Sequence, residues 1–156
     1  MTKYITAILF LILSAGCGTK QLEKTSKMVV FKTKQIKFSD VAYLAQDKNS
    51  VEIDLYIAGK AFKKISINTL VCIENEGCIR KSSFNEEYLS SAYPDELLKN
   101  VFLGKPIYEG RNLQKTVDGF EQNIFDNGVD IAYKVEANQI YFKDKSNAIL
   151  IKVKDI

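Results

Sequence analysis

Three cysteines are the side chains in this sequence of 156 residues whose type and position point to covalent chemistry. Cys17 follows an apolar run and three small residues, the place where a bacterial lipoprotein is acylated and cut. Cys72 and Cys78 bracket a short polar stretch in Val71-Cys-Ile-Glu-Asn-Glu-Gly-Cys-Ile79. Histidine is absent, which excludes Ser-His-Asp and Cys-His arrangements and most zinc sites. Carboxylate-only or lysine chemistry stays open. The pairs Glu86 with Glu87, and Asp126 with Asp130, read as solvated surface charge, and nothing converges on a reaction. The eight glycines are scattered and make no phosphate-binding loop. The expectation is a binding protein, not an enzyme, with no metal and no cofactor.

Residues 1–16 have the layout of an export signal: Lys3, an apolar run from Tyr4 to Leu13, then Ser14, Ala15 and Gly16. The run is too short to span a bilayer, which takes about twenty apolar residues. Leu13-Ser-Ala-Gly-Cys17 resembles a lipobox, with its leucine one place further back than usual. The alternative is an ordinary signal with an incidental cysteine. The lipoprotein reading gives a signal peptide at 1–16, a lipidated tether at 17–27 and a folded domain at 28–156. Each buried acyl methylene on Cys17 contributes about 0.8 kcal/mol to anchoring. Gly18 in place of Asp permits sorting to the outer membrane, so the expected location is that membrane, facing the periplasm, held by the lipid at Cys17. The formal charge of +3 is too mild to imply a nucleic-acid partner.

In an oxidising compartment, a hairpin around Glu74-Asn-Glu-Gly77 would bring Cys72 and Cys78 together as a disulfide. Closing so small a loop stabilises by about 2–3 kcal/mol in the chain-entropy account. A metal would need more ligands than this pair, and a redox role would want Cys-x-x-Cys spacing.

Strand patterns dominate the elements that would position these groups. Gln35–Ser39 alternates, and Val41–Ala45 continues extended. Val51, Ile53, Leu55 and Ile57 share one face, and after a break at Gly59-Lys60, Ile65 and Ile67 do the same. Phe84–Ser91 reads as a short helix with Ser83 as its N-cap. Pro94 suits the first position of a second helix, with Leu97, Leu98, Val101 and Phe102 as its apolar stripe and Gly104 as its stop. Residues 105–117 read as a long irregular loop. Strands resume at Phe120–Phe125, turn at Asp126-Asn-Gly128, and continue through Ile131–Val135, Gln139–Lys143 and Ala148–Lys154. Strands, then one or two helices, then strands describe an α+β domain: a curved antiparallel sheet forming an unclosed β-barrel, with the helices as a lid.

This order resembles the LolA/LolB-like family of lipoprotein-localisation proteins, in particular its outer-membrane receptors. Three stretches carry the resemblance: the hairpin Val51–Ile57 with Ala61–Ile67, the hairpin Val71–Arg80 leading into an acidic helical stretch, and Tyr93-Pro-Asp-Glu-Leu-Leu-Lys-Asn-Val-Phe-Leu-Gly-Lys-Pro106. It covers residues 28–156. It implies an apolar interior that takes acyl chains, a function of accepting or inserting lipoproteins at the outer membrane, and a LolA-like periplasmic carrier as partner. The lining would be Val51, Ile53, Leu55, Ile65, Ile67, Ile131, Tyr133, Ile140, Phe142, Ile149 and Ile151, with Leu97, Leu98, Val101 and Phe102 as lid. The same residues are what any sheet-on-helix core requires. The family's membrane-transfer loop would correspond to Ala58, Gly59, Lys60, Ala61 and Phe62, with Phe62 standing in for the family's exposed leucine. The chain is shorter than typical members and lacks their helix before the first strand. The other reading is an anchored envelope protein-interaction module that binds no lipid.

Overall fold

The computed structural model describes residues 22–156. Cys17 and the expected signal lie outside them. Eleven strands among these residues form one antiparallel sheet: β1 (Lys24–Lys32), β2 (Lys37–Gln46), β3 (Val51–Ile57), β4 (Lys60–Ile67), β5 (Val71–Ile73), β6 (Gly77–Ile79), β7 (Leu113–Lys115), β8 (Phe120–Asp126), β9 (Val129–Glu136), β10 (Gln139–Asp144) and β11 (Ile149–Asp155). Their spatial order is β6-β5-β4-β3-β2-β1-β11-β10-β9-β8-β7. Two meanders are joined where β1 pairs with β11, and the sheet does not close: the three-residue strands β6 and β7 are its free edges. Short edges offer little template for unwanted pairing.

Two helices sit between β6 and β7 in sequence: α1 (Lys81–Tyr88) and α2 (Leu97–Phe102). The α+β unclosed barrel with a helical lid is therefore the architecture of the chain. Period-two alternation puts one apolar face of each strand on the concave side. Tyr133, Phe142, Ile151, Phe31 and Phe38 lie directly opposite one another across five neighbouring strands, and all five are buried. Ile65, Ile53 and Leu44 make a second such row.

Local details differ from the sequence expectations. β1 begins at Lys24, so Lys24–Lys27, expected in the tether, pair with Ala42–Ala45 of β2. Their polar pattern hides a strand start that pairs with β2 throughout and with β11 from Lys27 on. Helix α1 starts after Arg80, not after Ser83, and has no side-chain cap. Lys81 is buried there and pairs with Glu96, which draws the first turn toward α2. Pro94 lies in a turn before α2, closed by the Leu97 N–H donating to the Pro94 carbonyl at 3.0 Å. The stop at Gly104 holds: with φ of +62°, Gly104 and Lys105 donate back to Val101 and Asn100 at 3.2 and 2.9 Å, the Schellman arrangement. The stretch 105–117, expected as a loop, contains a tight turn at Tyr108–Gly110, with positive φ at Tyr108 and Glu109, and the edge strand β7. Among the two-residue hairpins, Ala58-Gly59 has positive φ at both loop residues, whereas Asn127-Gly128 has it only at Gly128.

Candidate functional site

The lid and the concave face it covers are the candidate site. Leu97, Leu98, Val101 and Phe102 of α2 are each 2 % exposed or less. Phe102 meets Phe31 edge-to-face at 5.6 Å, and Tyr93, just before α2, meets Phe142 at 6.1 Å. The expected lining residues Val51, Ile53, Leu55, Ile65, Ile67, Ile131, Tyr133, Phe142, Ile149 and Ile151 are all buried in one cluster with the lid. Ile140 differs: it is half-buried at the rim and packs against that cluster near Gly104. In this closed form the lid side chains fill the interior.

Among the described residues, no main-chain hydrogen bond joins the stretch 81–110 to a strand. Side chains do the fastening. Gln46 Nε2 donates to the Phe102 carbonyl at 2.7 Å. The Tyr133 hydroxyl donates to the Lys105 carbonyl at 3.0 Å, at the C-terminal end of α2. Gln122 reads both main-chain groups of Ile107: its Oε1 accepts from the N–H and its Nε2 donates to the carbonyl, each at 2.9 Å. The Tyr93 hydroxyl donates to Asp144 Oδ2 at 2.7 Å. Asp144 is fully buried and also accepts from the main-chain N–H groups of Asp130 and Ser146 at 3.1 and 2.9 Å, and from Asn147 Nδ2 at 2.7 Å.

Burial, with the Asp144 hydrogen bond second, pushes the Tyr93 hydroxyl far above its ordinary pKa. Burial does the same to Tyr133, and raises Tyr108 to about 12. None of these groups is tuned to move a proton near neutrality. The two helices are tied together by Glu96, which takes Lys81 and Lys99. Burial raises the pKa of Glu96, but its hydrogen bonds to the two lysines outweigh that and hold it below the usual range.

Gln46, Gln122, Asp144 and Tyr93 were not foreseen as lid fasteners. A signal for three of them exists: Gln46 continues the inward phase of Ala42 and Leu44, Gln122 that of Phe120 and Ile124, and Asp144 that of Phe142. A polar residue in the buried phase of a strand must have a partner waiting inside.

Cys72 and Cys78 are bonded to each other, directly opposite across β5 and β6. The bond pins the hairpin from which the chain enters α1. The stretch Ala58, Gly59, Lys60, Ala61 and Phe62 is an exposed turn, and the Phe62 ring stacks on Phe38 at 6.4 Å. Among the described residues no cluster of His, Cys, Asp and Glu is arranged to hold a metal, and no helix is long and apolar enough to cross a membrane. No family model, curated protein or solved structure matches the chain.

Proposed function

We propose that this chain is a membrane-anchored bacterial lipoprotein that binds acyl chains between its open sheet and its helical lid. It would accept or insert lipoproteins at the outer membrane, receiving them from a LolA-like carrier. The observation that carries this reading is the way the lid is held. A cover of apolar side chains with no main-chain bond to the sheet lifts without breaking a strand ladder. An acyl chain replaces the lost contacts, each buried methylene contributing about 0.8 kcal/mol. Attachment through Cys17, which lies outside the described residues, would keep such an exchanger at the bilayer surface.

The reading is tested by capture of a fluorescent fatty-acyl probe. Saturable capture is expected, with Gln46→Ala speeding it by releasing the Phe102 carbonyl, and Leu98→Arg abolishing it while the sheet stays folded. Gln46→Ala keeps the test decisive if Leu98→Arg does not fold.

The filled interior favours a second reading, an anchored module that binds another envelope protein and takes no lipid. Crosslinking in cells that yields one stoichiometric protein partner, together with no capture of the acyl probe, would establish that reading instead.

A further inference from the structure

The end of the sheet where β1 turns into β2 and β3 into β4 is basic. Residues 31–39 carry Lys32, Lys34 and Lys37, residues 57–67 carry Lys60, Lys63 and Lys64, and neither stretch contains Asp or Glu. The strand order makes the two turns neighbours. Lys32, Lys34, Lys37 and Lys60 are exposed, and none forms an ion pair with a described residue. Most acids at this end are taken up: Asp126 by Arg111 at 2.6 Å, Asp130 by Lys145 at 3.6 Å, and Asp144 by burial. Asp40 stands exposed, accepting from the Val41 N–H at 2.8 Å.

The β1–β2 turn is stiff. The Thr33 N–H donates to the Ile36 carbonyl at 2.8 Å, Thr33 Oγ1 accepts from the N–H groups of Gln35 and Ile36, and Thr33 and Ile36 are each 1 % exposed. Its lysines are thus presented on a fixed scaffold, which lowers the ordering cost of binding. Apolar side chains stand beside them: Ile57 is 46 % exposed and Phe62 43 %. The adjoining outer face exposes Met28 and Tyr43, and a groove of about 630 Å³ lies between Asp40, Val41, Tyr43, Tyr56 and the Ala58-Gly59 turn.

We infer that this basic end and the adjoining outer face of β1–β3 dock on an anionic lipid bilayer. The lysines meet headgroup phosphates, while Met28 and Tyr43 of the outer face enter the interface. The inference rests on the anchored reading above and adds an orientation to it. Cys17 lies seven residue steps before Lys24, about 25 Å at full extension. The basic end lies eight steps of β1 beyond Lys24, about 27 Å along the strand. Anchor and lysines therefore meet one bilayer when the barrel lies on its β1–β3 face.

The sequence has no tryptophan, so a single one reports its own position. The full-length anchored protein is reconstituted in vesicles containing a brominated-chain lipid, carrying either Gln35→Trp or Asp118→Trp, the latter on the turn between β7 and β8. With anionic phosphatidylglycerol present, quenching of Gln35→Trp by about twofold or more is expected, and none of Asp118→Trp. Lys34→Glu with Lys37→Glu, or salt near 0.5 M, is expected to remove it, since each lysine at an anionic surface is worth about fivefold in partitioning. Quenching equal at both positions, or the same in pure phosphatidylcholine, overturns the docking surface. Acyl-probe capture on the same proteins separates the two ideas. Capture without quenching sinks the docking surface alone, and quenching without capture upholds it while sinking the acyl-binding reading.

Discussion

A few polar side chains tie the helical stretch to the sheet. Asp144 gathers Tyr93, Asn147 and the main chain of Asp130 and Ser146 around one carboxylate. Asp144→Ala leaves those donors unpaired in the interior, and a loss of about 3 kcal/mol is expected in urea unfolding. Tyr93→Phe removes one bond only and should cost about 1–2 kcal/mol. The same tyrosine gives an alkaline signature. Its pKa is raised on folding, so the stability it supplies is complete below its ordinary value of 10.0 and is lost as pH rises past that value. Melting temperature is expected to fall above pH 10, and less steeply in Tyr93→Phe. At this scale the sequence was only partly legible. Gln46, Gln122 and Asp144 continue the inward phase of their strands, but the main-chain groups they serve on other elements lie 14 to 56 residues away. Alternation shows that such a side chain points inward, and cannot show what it meets.

Elements were more legible than their ends. The apolar stripe of α2 and its glycine stop are local signals, and both hold. The start of α1 was misplaced because the Lys81–Glu96 pair comes from tertiary packing. β1 is not among the strands legible in the sequence, whose pattern starts at Gln35: Lys24–Lys27 has no apolar alternation, and the strand is defined by its pairing with β2 and, from Lys27 on, β11. The pairing of the two cysteines was legible locally, since a turn-like spacer between apolar flanks brings them opposite each other, and the bond is present. Cys72→Ser with Cys78→Ser should lower stability by about 2 kcal/mol, measured against the oxidised protein in urea. Glu96 links the two helices, and its folded pKa is depressed below 4.5. The stability it contributes is present above pH 4.5 and disappears as pH falls through the folded value. Thermal melting should therefore weaken more between pH 5 and pH 3 in the parent chain than in Glu96→Gln.

For the whole molecule, pairing the first strand of the chain with the last joins the two meanders into one sheet with a shared apolar face. That fold class was readable from alternation and the placement of two helical stretches between strand runs. The state of the interior was not. The residues expected to line a cavity and those expected to fill a core are the same, and the closed form packs them against the lid. The account therefore turns on whether the lid yields to an acyl chain. The most direct measurement is photocrosslinking with a palmitoyl probe bearing a diazirine near its methyl end, followed by mass-spectrometric mapping of the adducts. Adducts are expected on the concave face and lid, at Phe102, Tyr133 and Ile151, competed away by unlabelled acyl chain. Adducts confined to the outer face of β1–β3, or none, would contradict it.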